Sequence, residues 1–167
     1  MNEADVSWRA FLSNEPLMVA GFAWGISAII KVVITLVTDR KLILVRMMGT
    51  GGMPSTHTAP VIAFTTCVGL IYGLNHPYFA IGFVISLIVM YDATNLRQEA
   101  GKHAEAINIL VDELISKGRI RKEKWKTMKE LLGHTYFEVA VGAIIGFLAA
   151  IWGHQIWISS IGIPQIG

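Results

Sequence analysis

The chain has 167 residues, enough for one domain, of which 53% are hydrophobic and only 16% charged, with a net charge of +2. A soluble domain carries about a quarter charged residues, so an ordinary soluble enzyme is excluded. The single cysteine, Cys67, excludes an intrachain disulfide and reads as a small buried hydrophobe.

Residues 1–16 carry Glu3, Asp5, Arg9 and Glu15, with no basic start and no cleavage-like site, so no secretory signal is expected. Four apolar blocks follow. The first, Leu17 to Val37, is interrupted only by Lys31 and as a helix matches the hydrocarbon thickness of about 30 Å. The second, residues 58–74, and the third, 77–91, are separated at Asn75-His76-Pro77. Taken alone the third block is short for a span and also fits a re-entrant or buried helix. The polar segment 95–132 reads as helical. Ala100, Ala104, Ile107, Leu110 or Val111, Leu114 and Ile115 recur at helical spacing with Gly118 as a stop, and a second amphipathic stretch runs from Lys122 to Leu132. The fourth block covers residues 139–158.

The expected architecture is therefore a single all-α domain over residues 1–167. It is a polytopic membrane bundle of about four transmembrane helices plus cytoplasmic amphipathic helices. Glycine pairs four apart, Gly21/Gly25, Gly69/Gly73 and Gly142/Gly146, suit close helix approach in lipid. Four spans put residues 38–57 and 92–138 on one side. That side holds every Lys and Arg except Arg9 and Lys31, so both polar loops are expected in the cytoplasm, in a bacterial-type cytoplasmic membrane. Membrane lipids are expected partners, the basic run from Lys117 to Lys129 suiting anionic headgroups. No nucleic-acid partner is expected, and the oligomeric state is left open.

Chemistry concentrates at two polar lips on that face. In GGMPSTHTAP, residues 51–60, Pro54 fits a first helical turn, and Gly51 and Gly52 permit close backbone approach. Ser55 and Thr56 add hydroxyls to N–H groups at a helix start, which suits an oxyanion such as phosphate. His57 titrates near neutrality. In GHTYFE, residues 133–138, His134 and Glu138 share one helical face, so the carboxylate can hold one imidazole nitrogen and leave the other free to attack. With Lys31, Arg46, Arg97 and Lys102 as cations, the inventory for phosphoryl transfer is complete. His57 also reads as a helix cap, Lys31 as a snorkelling lysine, and Asp92 with Arg97 as a structural ion pair. His76, His103 and His154 read as bystanders. Asp92, Glu99, Glu105 and the histidines form no tight metal-ligand motif, and neither metal nor cofactor is expected.

The stretches GGMPSTHTA, MYDATNLRQEAGKHAEAIN and ELLGHTYFEVAVG resemble, in order, the three signatures of the divergent branch of the type-2 phosphatidic acid phosphatase superfamily, which includes acid phosphatases and vanadium haloperoxidases. The resemblance covers about residues 24–148. It implies a membrane lipid phosphatase working without metal through a phosphohistidine on His134, oriented by Glu138. His57 would then be general acid and later base, and Ser55 with backbone amides would bind phosphate oxygens. Lys31 and Arg46 would stand in for the basic pair of the first signature, and Arg97 for the arginine that normally precedes the nucleophile. Thr56 stands where the superfamily has glycine, Glu138 where it has aspartate, and the usual basic spacing is absent. The implied substrate is a phospholipid or polyprenyl phosphate or pyrophosphate. The alternative is a non-catalytic binder or transporter of a phosphorylated lipid or anion.

Overall fold

A computed structural model describes residues 8–40, 52–121, 125–128 and 133–161. Six α-helices occupy them: α1 (Trp8–Leu12), α2 (Glu15–Asp39), α3 (Thr58–Tyr72), α4 (Pro77–Tyr91), α5 (Arg97–Ser116) and α6 (Tyr136–Ile161), with a π-helical turn at Asp92–Leu96. The chain is a polytopic helical membrane protein, with α2, the run 77–116 and α6 each long and apolar enough to cross a bilayer.

The short element is not where the block lengths put it. Helix α3 has 15 residues, about 22 Å, which by itself falls short of the hydrocarbon core. The third block is instead the start of a continuous 40-residue helical run through the π turn into α5. Helix α3 nevertheless sits at the centre, packed against α2, α4 and α6. The α5 boundary follows the expected stop: Gly118 has φ +68° and donates its N–H to the Ile115 carbonyl. The expected helix over 122–132 is not seen at residues 125–128, which are irregular; the rest of that stretch lies outside the described residues.

Packing fixes the directions. Thr65 shares a hydrogen bond with Ser86 at 2.9 Å, and a Cβ on Gly82 would lie 2.9 Å from the Thr65 hydroxyl, so α3 and α4 form an antiparallel hairpin. A Cβ on Gly142 would lie 2.8 Å from the Ser55 carbonyl oxygen, and one on Gly146 would clash with Ala59. Matched four-residue steps make α3 and α6 parallel, with Gly142/Gly146 as the close-approach face. Gly21 and Gly25 have open space beside them, so that pair builds no helix interface, whereas Gly69 lies against Phe79 of α4 and Gly73 caps α3 at φ +87°. The core is accordingly made of small residues: Ala23, Ala63, Ala149 and Ala150, with Val19 and Cys67. Phe22, Ile29, Val33, Ile85, Ile88 and Phe147 point outward, as a lipid-facing surface requires.

Candidate active site

The starts of α3 and α6 and the junction of α4 with α5 meet at one end of the bundle. Ser55 opens the turn that leads into α3. Its carbonyl accepts from Ala59 N–H, and its hydroxyl accepts from both the Thr58 N–H (3.3 Å) and the Thr58 hydroxyl (3.0 Å). Pro54 therefore precedes the helix and does not occupy its first turn. Ser55 is fully buried under Gly142, and its N–H donates to the Glu138 carbonyl at 3.1 Å. Its role in the structure is to cap and anchor this loop. Thr56 and His57 then form the turn into α3, with His57 at its N-cap position, where their N–H groups have no acceptor within the helix.

Helix α6 opens with a capping box. The Thr135 hydroxyl accepts from the Glu138 N–H (3.2 Å), and Glu138 Oε2 accepts from the Thr135 N–H (3.1 Å). The same Oε2 lies 3.0 Å from His134 Nδ1, which fixes that nitrogen as the donor and leaves Nε2 with its lone pair. A carboxylate one methylene longer than aspartate can serve both its own helix terminus and the imidazole, which gives a physical role to the Glu138 departure.

The π turn supplies the third side. Widening the helix there frees the Ala93 carbonyl to accept from His134 N–H at 2.8 Å. Gly133, at φ +90°, brings that strand of chain against α5, where a Cβ would lie 2.7 Å from the Gln98 nitrogen. Arg97 donates through Nε to Asp92 Oδ2 at 2.8 Å and reaches His57 Nε2 through Nη1 at 3.3 Å. Because guanidinium only donates, His57 Nε2 is the acceptor and its proton sits on Nδ1. The expected ion pair of Asp92 with Arg97 is present, and it aims the arginine at His57.

The His57 and His134 rings stand edge to face, 5.7 Å apart. His57 Nδ1 and His134 Nε2 are buried with no hydrogen-bond partner among the described residues. Such atoms are rare in folded proteins. Burial lowers the proton affinity of both imidazoles. For His57 the Arg97 charge, then His134 and Lys31, add to the lowering. For His134 the Glu138 contact opposes it, while Lys31 and Arg97 add to it. Both rings are therefore held neutral beside fixed positive charge, an arrangement that suits an incoming anion and a nitrogen nucleophile.

Comparison with known proteins identifies the family. The sequence model of the Divergent PAP2 family matches residues 12–149, a range that contains every residue of the site. The chain belongs to the Divergent PAP2 family. It is also 39% identical over 145 residues to the uncharacterized membrane protein YuiD of Bacillus subtilis (strain 168), covering 82% of this chain and 92% of that one. No solved structure matches. Membership makes this Divergent PAP2 protein a phosphatase-related membrane protein.

Of the residues singled out from sequence, His57, His134, Glu138, Arg97 and Asp92 are joined by direct contacts. Lys31 is buried in α2, its Cε 3.2 Å from where a Cβ would sit on Gly52, and its charge reaches both histidines. Thr56 is buried beside Ser55. Lys102 is not brought to the histidines by any described contact. It pairs with Glu99 at 2.7 Å on the exposed side of α5, because five residues beyond Arg97 the helix has turned about 140° away from the arginine's face. Arg46 and Gly51 lie outside the described residues. Thr135 was missed, although the Thr-x-x-Glu spacing of a capping box is present in residues 135–138. The π turn had no sequence signal.

Proposed function

We propose that this Divergent PAP2 protein is a lipid phosphatase that hydrolyses a phosphomonoester or pyrophosphate at the cytoplasmic face through a phosphohistidine on His134. The observation that carries this reading is the His134 ring itself: Nδ1 is held by Glu138, while the buried Nε2 has no partner among the described residues.

A substrate monoanion brings its own proton, which passes to His57 Nε2 as Arg97 turns from that nitrogen to the phosphoryl oxygens. His134 Nε2 attacks phosphorus, the bond to the leaving oxygen breaks, and His57 returns the proton to that oxygen. Water then attacks the phosphohistidine, His57 takes its proton and passes it to the departing phosphate, and inorganic phosphate leaves with both histidines restored. Arg97 and Lys31 bear the charge on the phosphoryl oxygens during both displacements. Thr56 and His57 N–H groups at the start of α3 add donors. Placing the site at the end of apolar helices lets an acyl or prenyl tail remain in lipid while its headgroup reaches the imidazoles. The concentration of basic residues on the 38–57 and 92–138 segments supports a cytoplasmic site.

The test is phosphate release by purified protein from phosphatidic acid, phosphatidylglycerol phosphate, and polyprenyl phosphate and pyrophosphate. Release that vanadate blocks and His134→Ala abolishes supports the phosphatase. Phosphate-dependent stabilisation with no release from any of them, in folded protein, identifies a binder or transporter instead.

A further inference from the structure

At the opposite end of the bundle three helices bring together a carboxylate, a thiol and an imidazole. Glu15 opens α2, Cys67 lies in the last turns of α3, and His154 lies towards the end of α6. Ten residues of α3 separate Cys67 from His57, about 15 Å of helix, so this cluster is distinct from the histidine pair. His154 Nδ1 is 2.5 Å from Glu15 Oε1, and Cys67 Sγ is 3.5 Å from the same oxygen. One potential ligand atom from each residue lies within 4.8 Å of the others. The convergence is built into the packing. A Cβ on Gly153 would lie 2.9 Å from Val19 Cγ2, and that close approach of α2 to α6 carries His154 onto Glu15. Cys67 is fully buried, and the Glu15 and His154 side chains are only 11% and 19% exposed.

We propose that Glu15, Cys67 and His154 form a binding site for a divalent transition metal ion of the Zn2+ class, which clamps α2, α3 and α6 at the end of the bundle away from His134. The donor set mixes thiolate, imidazole and carboxylate, a combination that suits Zn2+ and disfavours Mg2+ and Ca2+. Ligand atoms of a tetrahedral site with bonds of 2.0–2.3 Å lie about 3.3–3.8 Å apart, so the Glu15–His154 pair separates by roughly 1 Å to admit the ion. Binding releases the thiol proton, and His154 gives up its hydrogen bond to Glu15 so that its ring nitrogen can coordinate. The charges of a carboxylate and a thiolate then cancel those of the ion, leaving a neutral centre, which an apolar bundle tolerates far better than an isolated charge. Three protein donors leave a fourth tetrahedral position of the kind water fills. Nothing in this assignment depends on His134 being a nucleophile.

The test is anaerobic Co2+ titration of the reduced, full-length protein in lipid nanodiscs. Because the chain has one cysteine, any thiolate-to-cobalt charge-transfer absorption reports Cys67. The expected result is that band at about one Co2+ per chain, its displacement by Zn2+, and its loss in Cys67→Ser. Affinity should fall at least about tenfold in His154→Ala and in Glu15→Gln, and stay unchanged in His134→Ala. Wild-type protein without the band overturns the proposal, whatever the variants do. Weak binding that His134→Ala removes and Cys67→Ser leaves intact also overturns it, by moving the ion to the other end of the bundle.

Discussion

Histidine appears at both ends of this bundle in opposite company. At one end His57 touches Arg97, and His134 lies within reach of the Lys31 and Arg97 charges, each ring keeping one buried, unpartnered nitrogen among the described residues. At the other, His154 shares a carboxylate oxygen with a thiol. Both are clusters carried on the same helices, and both are mostly shielded from water. The difference lies in the sign of the neighbours. Fixed cations beside neutral imidazoles prepare a place for an anion, and anionic or ionisable donors around an imidazole prepare a place for a cation. The residue type alone carries little functional meaning; its charge environment separates the two ends.

The largest expected effect is on turnover. His134→Ala should lower kcat by on the order of 10³-fold or more, since it removes the proposed nucleophile, and should leave Co2+ binding at Cys67 untouched. Arg97→Met should lower kcat/KM by about 10²–10³-fold, because it removes both a charge on the transition state and the donor that fixes the His57 tautomer. Conversely, Cys67→Ser should leave phosphate release at the wild-type level. An effect of Cys67→Ser on kcat as large as that of Arg97→Met would break the separation of the two ends.

A finer cut divides the two duties of Glu138. Glu138→Gln can still accept from the Thr135 N–H, so thermal stability should hold while kcat falls about 10- to 100-fold as the imidazole loses its carboxylate. Thr135→Ala should do the reverse, costing about 1 kcal/mol of stability with kcat little changed. The pair is read from Tm and initial rates on the same preparations.

The pH dependence follows from the lowered proton affinity of both site histidines. Attack needs neutral His134, so the acid limb of kcat/KM should lie below the ordinary value of 6.5. The same shifts act on folding. The unfolded chain takes up protons near 6.5 that the folded site refuses, so their contribution to stability is present above that pH and is lost as pH falls through the lower folded values. Replacing both histidines should flatten that acid loss in a Tm profile. The smallest effect belongs to Lys102→Ala, whose ion pair with Glu99 is exposed and should matter little to either kcat or Tm.

Much of the site was legible in the sequence because it rests on short spacings. His134 and Glu138 are four apart at a helix start, and PSTH places a histidine at the N-terminal boundary of another. Contacts across the fold were less accessible. Lys102, five residues after Arg97, is an equal candidate cation in the sequence, but helical rotation carries it to the exposed side. The π turn that aligns Arg97 and offers the Ala93 carbonyl to His134 N–H has no compositional mark. The block lengths also misplaced the short helix, since the third block gains length only by continuing into a polar segment. Cys67 read correctly as buried, yet its partners Glu15 and His154 lie 52 and 87 residues away in sequence, a distance no local pattern spans.

The most direct test of the account is to look for the phosphoenzyme. Protein carrying His57→Ala should capture label from a radiolabelled lipid pyrophosphate, whose leaving group needs little help, and lose it slowly because water lacks its base. The account predicts an acid-labile, alkali-stable label of about one per chain that is absent when His134→Ala is added. Label that persists in the double variant, or rapid turnover by His134→Ala alone, would contradict it.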